Sequence, residues 1–275
     1  MNLYGRLDQF KLQAGGITGN ADDTHWLMLL ASVSRAIDAY CGRHFYARTA
    51  TRTFDGTRDS RIWTDDLISV TTLSCDLNAD GVYEQALVAN TDFGLWPTSQ
   101  PSYMPYRGID LLPWRTAISV WPTVARSIQI AGSWGYSAEW ETVTGYTVQD
   151  NPLTSGATTL TLTSNHGIQP GETLLIESEQ VSVTAAPTQT TLTIERAYNG
   201  TTAAQHASST AVSRRRYPRP IEQAAVMQAI RWAWEAQGGM QGSVLQTEYN
   251  IGAGRTLYPM IRDSLEPFRL KALVA

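Results

Sequence analysis

Residues 142–212 contain no Trp, Phe, Met or Lys and a single Arg, Arg196, while Thr supplies 17 of those 71 positions. No helical periodicity survives in this stretch. Thr158 to Thr163, Thr173 to Glu177, Gln180 to Thr184 and Thr190 to Glu195 read as short strands. Turn signals separate them: Asn165-His166-Gly167, Pro170-Gly171, Ala186-Pro187-Thr188 and Asn199-Gly200. Turns at this density predict a small all-β barrel or sandwich. All nine Trp lie outside it, and so sharp a break predicts a separate module rather than one continuous core.

The flanks read differently. Residues 1–20, with Gly15-Gly16 and Gly19-Asn20, predict a loose arm. A helix follows: Asp22 or Asp23 can cap it, Trp26, Leu29, Leu30, Val33, Ile37 and Tyr40 recur at helical spacing, and Gly42 stops it. From residue 47 the period changes to two. Thr49 to Phe54, Arg61 to Thr64, Leu67 to Cys75 and Ser127 to Ser133 read as strands, and residues 91–113, rich in Pro, Tyr and Gly, as an irregular loop. After the module, Pro218 and Pro220 open a long helix with an apolar face from Ile221 to Trp234, ended by Gly238-Gly239. A glycine-containing loop then runs to about Thr256. Pro259 opens a short terminal helix that Pro267 breaks near its end. The expected fold class is α+β: a helical core with short antiparallel strands, plus an inserted all-β small barrel or sandwich at 142–212. Residues 1–141 and 213–275 would form one discontinuous core domain.

Charge is unevenly spread. Of 21 basic residues, 19 are Arg and two are Lys, on a chain of 275 residues with net charge −4. Residues 1–141 carry −4, residues 142–212 carry −4 and residues 213–275 carry +4. Net acidity argues against a whole surface that grips nucleic acid. Arg, Trp and Tyr together suit buried interface contacts, and the basic last segment suggests an acidic partner. Two cysteines, Cys41 and Cys75, make no disulfide framework and are expected as reduced thiols. No leader sequence and no membrane span is expected.

The residues do not point to catalysis. His25, His44, His166 and His206 have no metal-ligand spacing, and neither a nucleophile elbow nor a Walker loop occurs. The chain is therefore expected to be no enzyme and to need no cofactor. Asp76-Leu77-Asn78-Ala79-Asp80-Gly81 matches the first half of a calcium loop, with Asp76, Asn78 and Asp80 as oxygen ligands. Its twelfth position, where a bidentate Glu belongs, is Leu87, and Glu84 falls at the ninth. The favoured reading is an Asp- and Asn-rich hairpin turn without metal. Arg214, Arg215, Arg216 and Arg219 form a basic run that reads either as a strip for an acidic partner or as a solvated linker. Arg262, Arg269 and Lys271 around Phe268 suggest an anchor into an acidic groove. The Trp residues allow a sugar-stacking reading, but they are absent from the β module and are assigned to core packing.

Four stretches carry a family resemblance. They are Tyr40-Cys41-Gly42-Arg43-His44-Phe45 at a helix end; Thr53-Phe54-Asp55-Gly56 with Arg61-Ile62-Trp63 and Ile68 to Leu73; Ile128 to Tyr136, with the Pro-led helix at Tyr217-Pro218-Arg219-Pro220-Ile221; and Leu265-Glu266-Pro267-Phe268-Arg269. In this order the chain resembles the tailed-phage head–tail connector, or adaptor, proteins over residues 20–136 and 217–270. Residues 142–212 interrupt the pattern. Their Gly171 to Glu179 and Ala197 to His206 are similar to a small β module of phage structural proteins. The resemblance implies a homo-oligomer, a dodecameric ring below the portal protein, joined to a stopper or tail-completion protein, with DNA passing through its channel. It implies a virion protein of the neck, assembled in the bacterial cytoplasm. It also implies portal binding by Arg262, Pro267, Phe268, Arg269, Leu270 and Lys271, so that removing residues 258–275 should leave a folded chain unable to bind portal. The alternative is a tail-fibre or baseplate attachment protein whose β module binds a partner or host glycan.

Overall fold

Strand outweighs helix in the computed structural model. Among the described residues, twelve strands form two six-stranded antiparallel sheets, against four α-helices. The expected helical core with short strands is thereby corrected. The structure describes residues 1–99, 101, 103–112, 118–163, 167–241 and 257–270, with the backbone alone at 143, 144 and 236–241. His166, most of the glycine-containing loop before Thr256, and Lys271 lie outside the described residues. The chain divides into two compact units: His44–Glu139 with Asn199–Thr201, and Met1–Arg43, Trp140–Tyr198 and Thr202–Ala275. The helices thus share a unit with the second sheet.

The first unit holds β1 (Arg48–Phe54), β2 (Arg61–Cys75), β3 (Gln85–Leu87), β4 (Phe93–Trp96), β5 (Tyr106–Leu111) and β6 (Ile128–Trp134). Strand order is β1-β6-β2-β5-β4, with β3 on β2. In β6 every second residue is buried, which places Ile128, Ile130 and Trp134 in the core and sets the register of both neighbours. β2 is one strand of 15 residues whose pairing shifts between Trp63 and Leu67, so the two strands expected there are one bulged strand. β4 and β5 lie in the stretch expected to be irregular. Phe93, Leu95, Ile109 and Leu111 keep period two toward the core, while the outward Gly94 and Gly108 hide it.

The second unit holds α1 (Leu7–Gln13), α2 (Asp23–Cys41), α3 (Arg219–Gln241) and α4 (Pro259–Leu265), followed by a 3-10 turn at Glu266–Phe268. Its sheet contains β7 (Trp140–Thr147), β8 (Thr159–Thr161), β9 (Thr173–Ile176), β10 (Glu179–Ala185), β11 (Thr191–Glu195) and β12 (Ala211–Arg215), in the order β7-β12-β9-β10-β11-β8. The four expected strands are present, and the sheet recruits β7 and β12 from the edges of the Thr-rich segment. Its core is aliphatic: Val148, Leu160, Leu174, Ile176, Val181, Leu192 and Val212 among others.

α2 ends at Gly42, whose φ of 67° is the left-handed conformation of a helix stop and whose N–H donates to Asp38 O. Asp22 sits at the N-cap without a side-chain capping bond. α3 continues through Gly238-Gly239, so the expected stop is not used. The expected loose arm is also corrected. Leu3, Tyr4, Leu7 and Phe10 are buried, and a Cβ at Gly5 would meet Val226 at 3.0 Å. Residues 1–13 therefore pack between the helices and the second sheet. Arg6 reaches Glu172 at 3.5 Å, and Thr173 Oγ1 donates to Asn2 Oδ1. Burial pushes the Glu172 carboxyl up, against the pull of Arg6 and Arg214. Cys41 and Cys75 are free and buried, and burial pushes both thiols up to about 12. No described helix is long and apolar enough to cross a membrane.

Candidate functional site

The C-terminal residues of the resemblance are brought onto the end of α2. Leu270 N–H donates to Cys41 O at 2.7 Å. Tyr40 OH donates to Glu266 Oε2 at 2.9 Å, which pushes the phenol up. The Arg269 guanidinium lies 5.5 Å from the Tyr40 ring centroid and its Nη1 lies 3.9 Å from Glu266 Oε1. Pro267, Arg269 and Arg262 face solvent, while Phe268 and Leu270 are half-buried. The result is a small fixed surface of Arg, Pro and aromatic groups around the last turn of α2. Lys271, the sixth expected anchor residue, lies outside the described residues. Ile261 and Leu265 are buried in the same unit, so removing residues 258–275 takes out core as well as surface. The clean deletion expected from sequence is corrected on that ground.

The basic run is not one strip. Alternation along β12 separates its members. Arg214 pairs with Glu141 at 2.7 Å and lies 3.9 Å from Glu172. Arg215 points inward, 5% exposed, with its guanidinium 5.3 Å from the Trp140 ring and 5.4 Å from the Tyr217 ring. Arg216 shares Glu141 at 3.6 Å, and Arg219 is exposed at the start of α3. Arg214 and Arg216 thus meet acids from outside residues 213–275. The +4 of that segment is therefore offset in part by acids from outside it, Glu141 above all.

The Asp-rich turn after β2 is held by its own backbone. Asp76 accepts N–H bonds from Asn78, Ala79 and Gly81. Burial would raise the Asp76 carboxyl, and these bonds outweigh it and hold it below its ordinary value. Asp80 accepts from Val82 N–H and from Asn78 Nδ2. Glu84, which the twelve-residue pattern put out of place, comes within 4.8 Å of Asp76 and Asp80. The Asx-type bonding accounts for the composition of the turn without an ion. Asp76→Ala should lower the urea midpoint of the first unit, because three N–H donors lose their acceptor. Asp80→Ala should shift it far less. A rise in melting temperature on adding calcium, abolished by Asp80→Ala, would identify a metal loop instead.

A buried charge cluster that the sequence does not disclose centres on Glu179. Glu179 opens β10 fully buried. It takes Arg196 in a two-pronged bond at 2.8 and 2.7 Å, the N–H groups of Ala197 and Ala204 at 3.0 Å each, and His206 Nε2 at 2.9 Å. His206 Nδ1 lies 2.7 Å from Glu177 Oε2. Arg196 also donates to the carbonyls of Thr154 and Ala204. Burial alone would raise the Glu179 carboxyl, but its donors outweigh that and hold it at about 2. The cluster ties the β9–β10 turn to the segment after β11, which is 1% exposed at His206. Its members all fall within or beside Gly171 to Glu179 and Ala197 to His206, the two stretches that resemble the phage β module. No protein-family model matches the chain, and no curated protein matches its sequence.

Proposed function

We propose that this chain is a structural virion protein, the head–tail adaptor of a tailed bacteriophage. In this reading it forms a homo-oligomeric ring of about twelve copies below the portal, with the low-charge, aromatic- and Arg-rich character of a subunit that buries surface on assembly. It catalyses nothing. It joins the DNA-filled head to a stopper or tail-completion protein at the neck and lets DNA pass. The reading rests on the order of the four resembling stretches and not on the helical-core fold, which does not hold.

One observation carries it. The first and last of those stretches, far apart in the chain, meet through Tyr40, Cys41, Glu266, Arg269 and Leu270. That the two ends of the resemblance share one local structure supports the reading. The exposed Pro267 and Arg269 then present a fixed docking surface beside half-buried Phe268. The double variant Phe268→Ser/Arg269→Glu, which spares Ile261 and Leu265, should stay folded with only a small drop in melting temperature. Its portal binding should fall at least about tenfold, measured by co-sedimentation. Negative-stain micrographs of the wild-type protein with portal should show coaxial rings. Undiminished portal binding by the variant would refute the anchor, and trimers with a projecting β domain would favour the tail-fibre reading.

A further inference from the structure

The sequence suggests core packing for the Trp residues, yet neither Trp63 nor Trp96 is buried, and Trp63 is 43% exposed. Register explains why. Ile62, Ile109 and Leu95 form an inward row of the first sheet, which turns the flanking rows outward. One outward row is Trp63, Gly108 and Trp96, and the other is Arg61, Asp110 and Gly94. The two indoles stand at 88° with centroids 5.0 Å apart, forming an aromatic corner. Gly108 lies beneath it: a Cβ there would sit 3.6 Å from Trp63 Cε3 and 3.0 Å from Ile62 O. At Gly94 a Cβ would meet nothing within 4 Å, so the floor beside the corner is low.

A polar fork is fixed against this corner. Arg61 Nε and Nη2 donate to the two carboxylate oxygens of Asp110, the second at 2.8 Å. The same guanidinium lies 4.7 Å from the Trp96 ring centroid and 5.4 Å from that of Trp63. Among the described residues Arg61 Nη1 has no protein acceptor, and each Asp110 oxygen keeps a lone pair. Both side chains remain about a third open to solvent, at 31% and 29%.

We propose that this face of β2, β5 and β4 binds a neutral saccharide. The part of the Trp63 indole left open beside the guanidinium suits the C–H groups of a pyranose, and hydroxyls that both donate and accept suit a fork offering an N–H and carboxylate lone pairs. Charge decides against other small ligands. Arg61 is paired with Asp110 and also feels the negative charge of Asp59, so these groups offer a phosphate or carboxylate ligand no net positive charge. A cation would have to take Asp110 from its two-pronged partner. The saccharide needs neither. The inference does not depend on the ring reading, since either can fail with the other intact.

The test is intrinsic tryptophan fluorescence of the full-length protein, titrated with maltohexaose, cellopentaose and tetra-N-acetylchitotetraose at millimolar concentrations. At least one oligosaccharide should give a saturable change. Trp63→Ala should weaken it by at least about tenfold, and Asp110→Asn similarly, with circular dichroism and melting temperature unchanged. No saturable change with any of the three, or full binding by Trp63→Ala, overturns the proposal. Loss of self-association in Trp63→Ala without any sugar response would also overturn it and assign the face to a protein contact.

Discussion

Glu179→Ala is expected to be the most damaging single substitution in the second unit, at a cost of about 3–5 kcal/mol. The reason is what it leaves behind. Arg196 is 8% exposed and His206 is 1% exposed, and both would remain buried without the carboxylate. The N–H groups of Ala197 and Ala204 would lose their acceptor as well. The pH dependence follows from the same geometry. The Glu179 carboxyl is held at about 2 in the fold against an ordinary 4.5. A depressed carboxyl stabilises the folded state above its unfolded value, and that contribution fades as pH falls from about 4.5 toward about 2. Its size is about 3 kcal/mol. Urea midpoints of the wild type should therefore fall across that window. Glu179→Gln, which keeps the shape and loses the charge, should start lower and change less. A wild-type midpoint that stays level down to the bottom of the window would mean that the carboxylate is not held as described.

This cluster also marks the limit of what the sequence discloses. The strands around it were legible, because Thr-rich alternation and frequent turns leave little other choice. Glu177, Glu179, Arg196 and His206 were not legible as a unit, since they come from two turns separated by a hairpin. The available signal was weak: Glu-x-Glu before one strand, and a lone Arg and one of two His in a module nearly free of basic groups. Helices α2, α3 and α4 were legible from apolar spacing, Gly42 and the prolines. α1 was hidden because seven residues give too short a period. β4 and β5 were hidden because Gly94 and Gly108 occupy outward positions that alternation would fill with polar side chains. The same two glycines flank the Trp63–Trp96 corner, so the residues that hide the strands also hide the surface. Charge misled for another reason. Net charge over residues 213–275 ignores that Arg214 and Arg216 meet Glu141, which lies before the module.

Gly135→Ala should strongly destabilise the first unit, by about 3 kcal/mol. Gly135 has φ of 134°, where an L side chain is strained, and a Cβ there would lie 2.1 Å from Tyr46 O. The obstruction is backbone, so no rotamer change relieves it. Both sides of the contact are anchored. Gly135 N–H donates to Asp66 O, Tyr136 N–H donates to His44 O, and the Phe45 and Tyr136 rings lie 5.3 Å apart. Just before it, Trp134 is 1% exposed, donates from Nε1 to Ala50 O and carries the Arg52 guanidinium 4.5 Å from its ring centroid. To admit a methyl group, residues 44–46 must move away from the end of β6, which pulls β1 off its register. Gly156 supplies the control: it has no positive φ, and a Cβ there meets nothing within 4 Å. Gly156→Ala should leave stability unchanged or raise it by up to about 1 kcal/mol through the unfolded chain. Equal urea midpoints for the two variants would mean that the 44–46 segment yields freely, and that the junction between the first and third resembling stretches is not the fixed point its geometry describes.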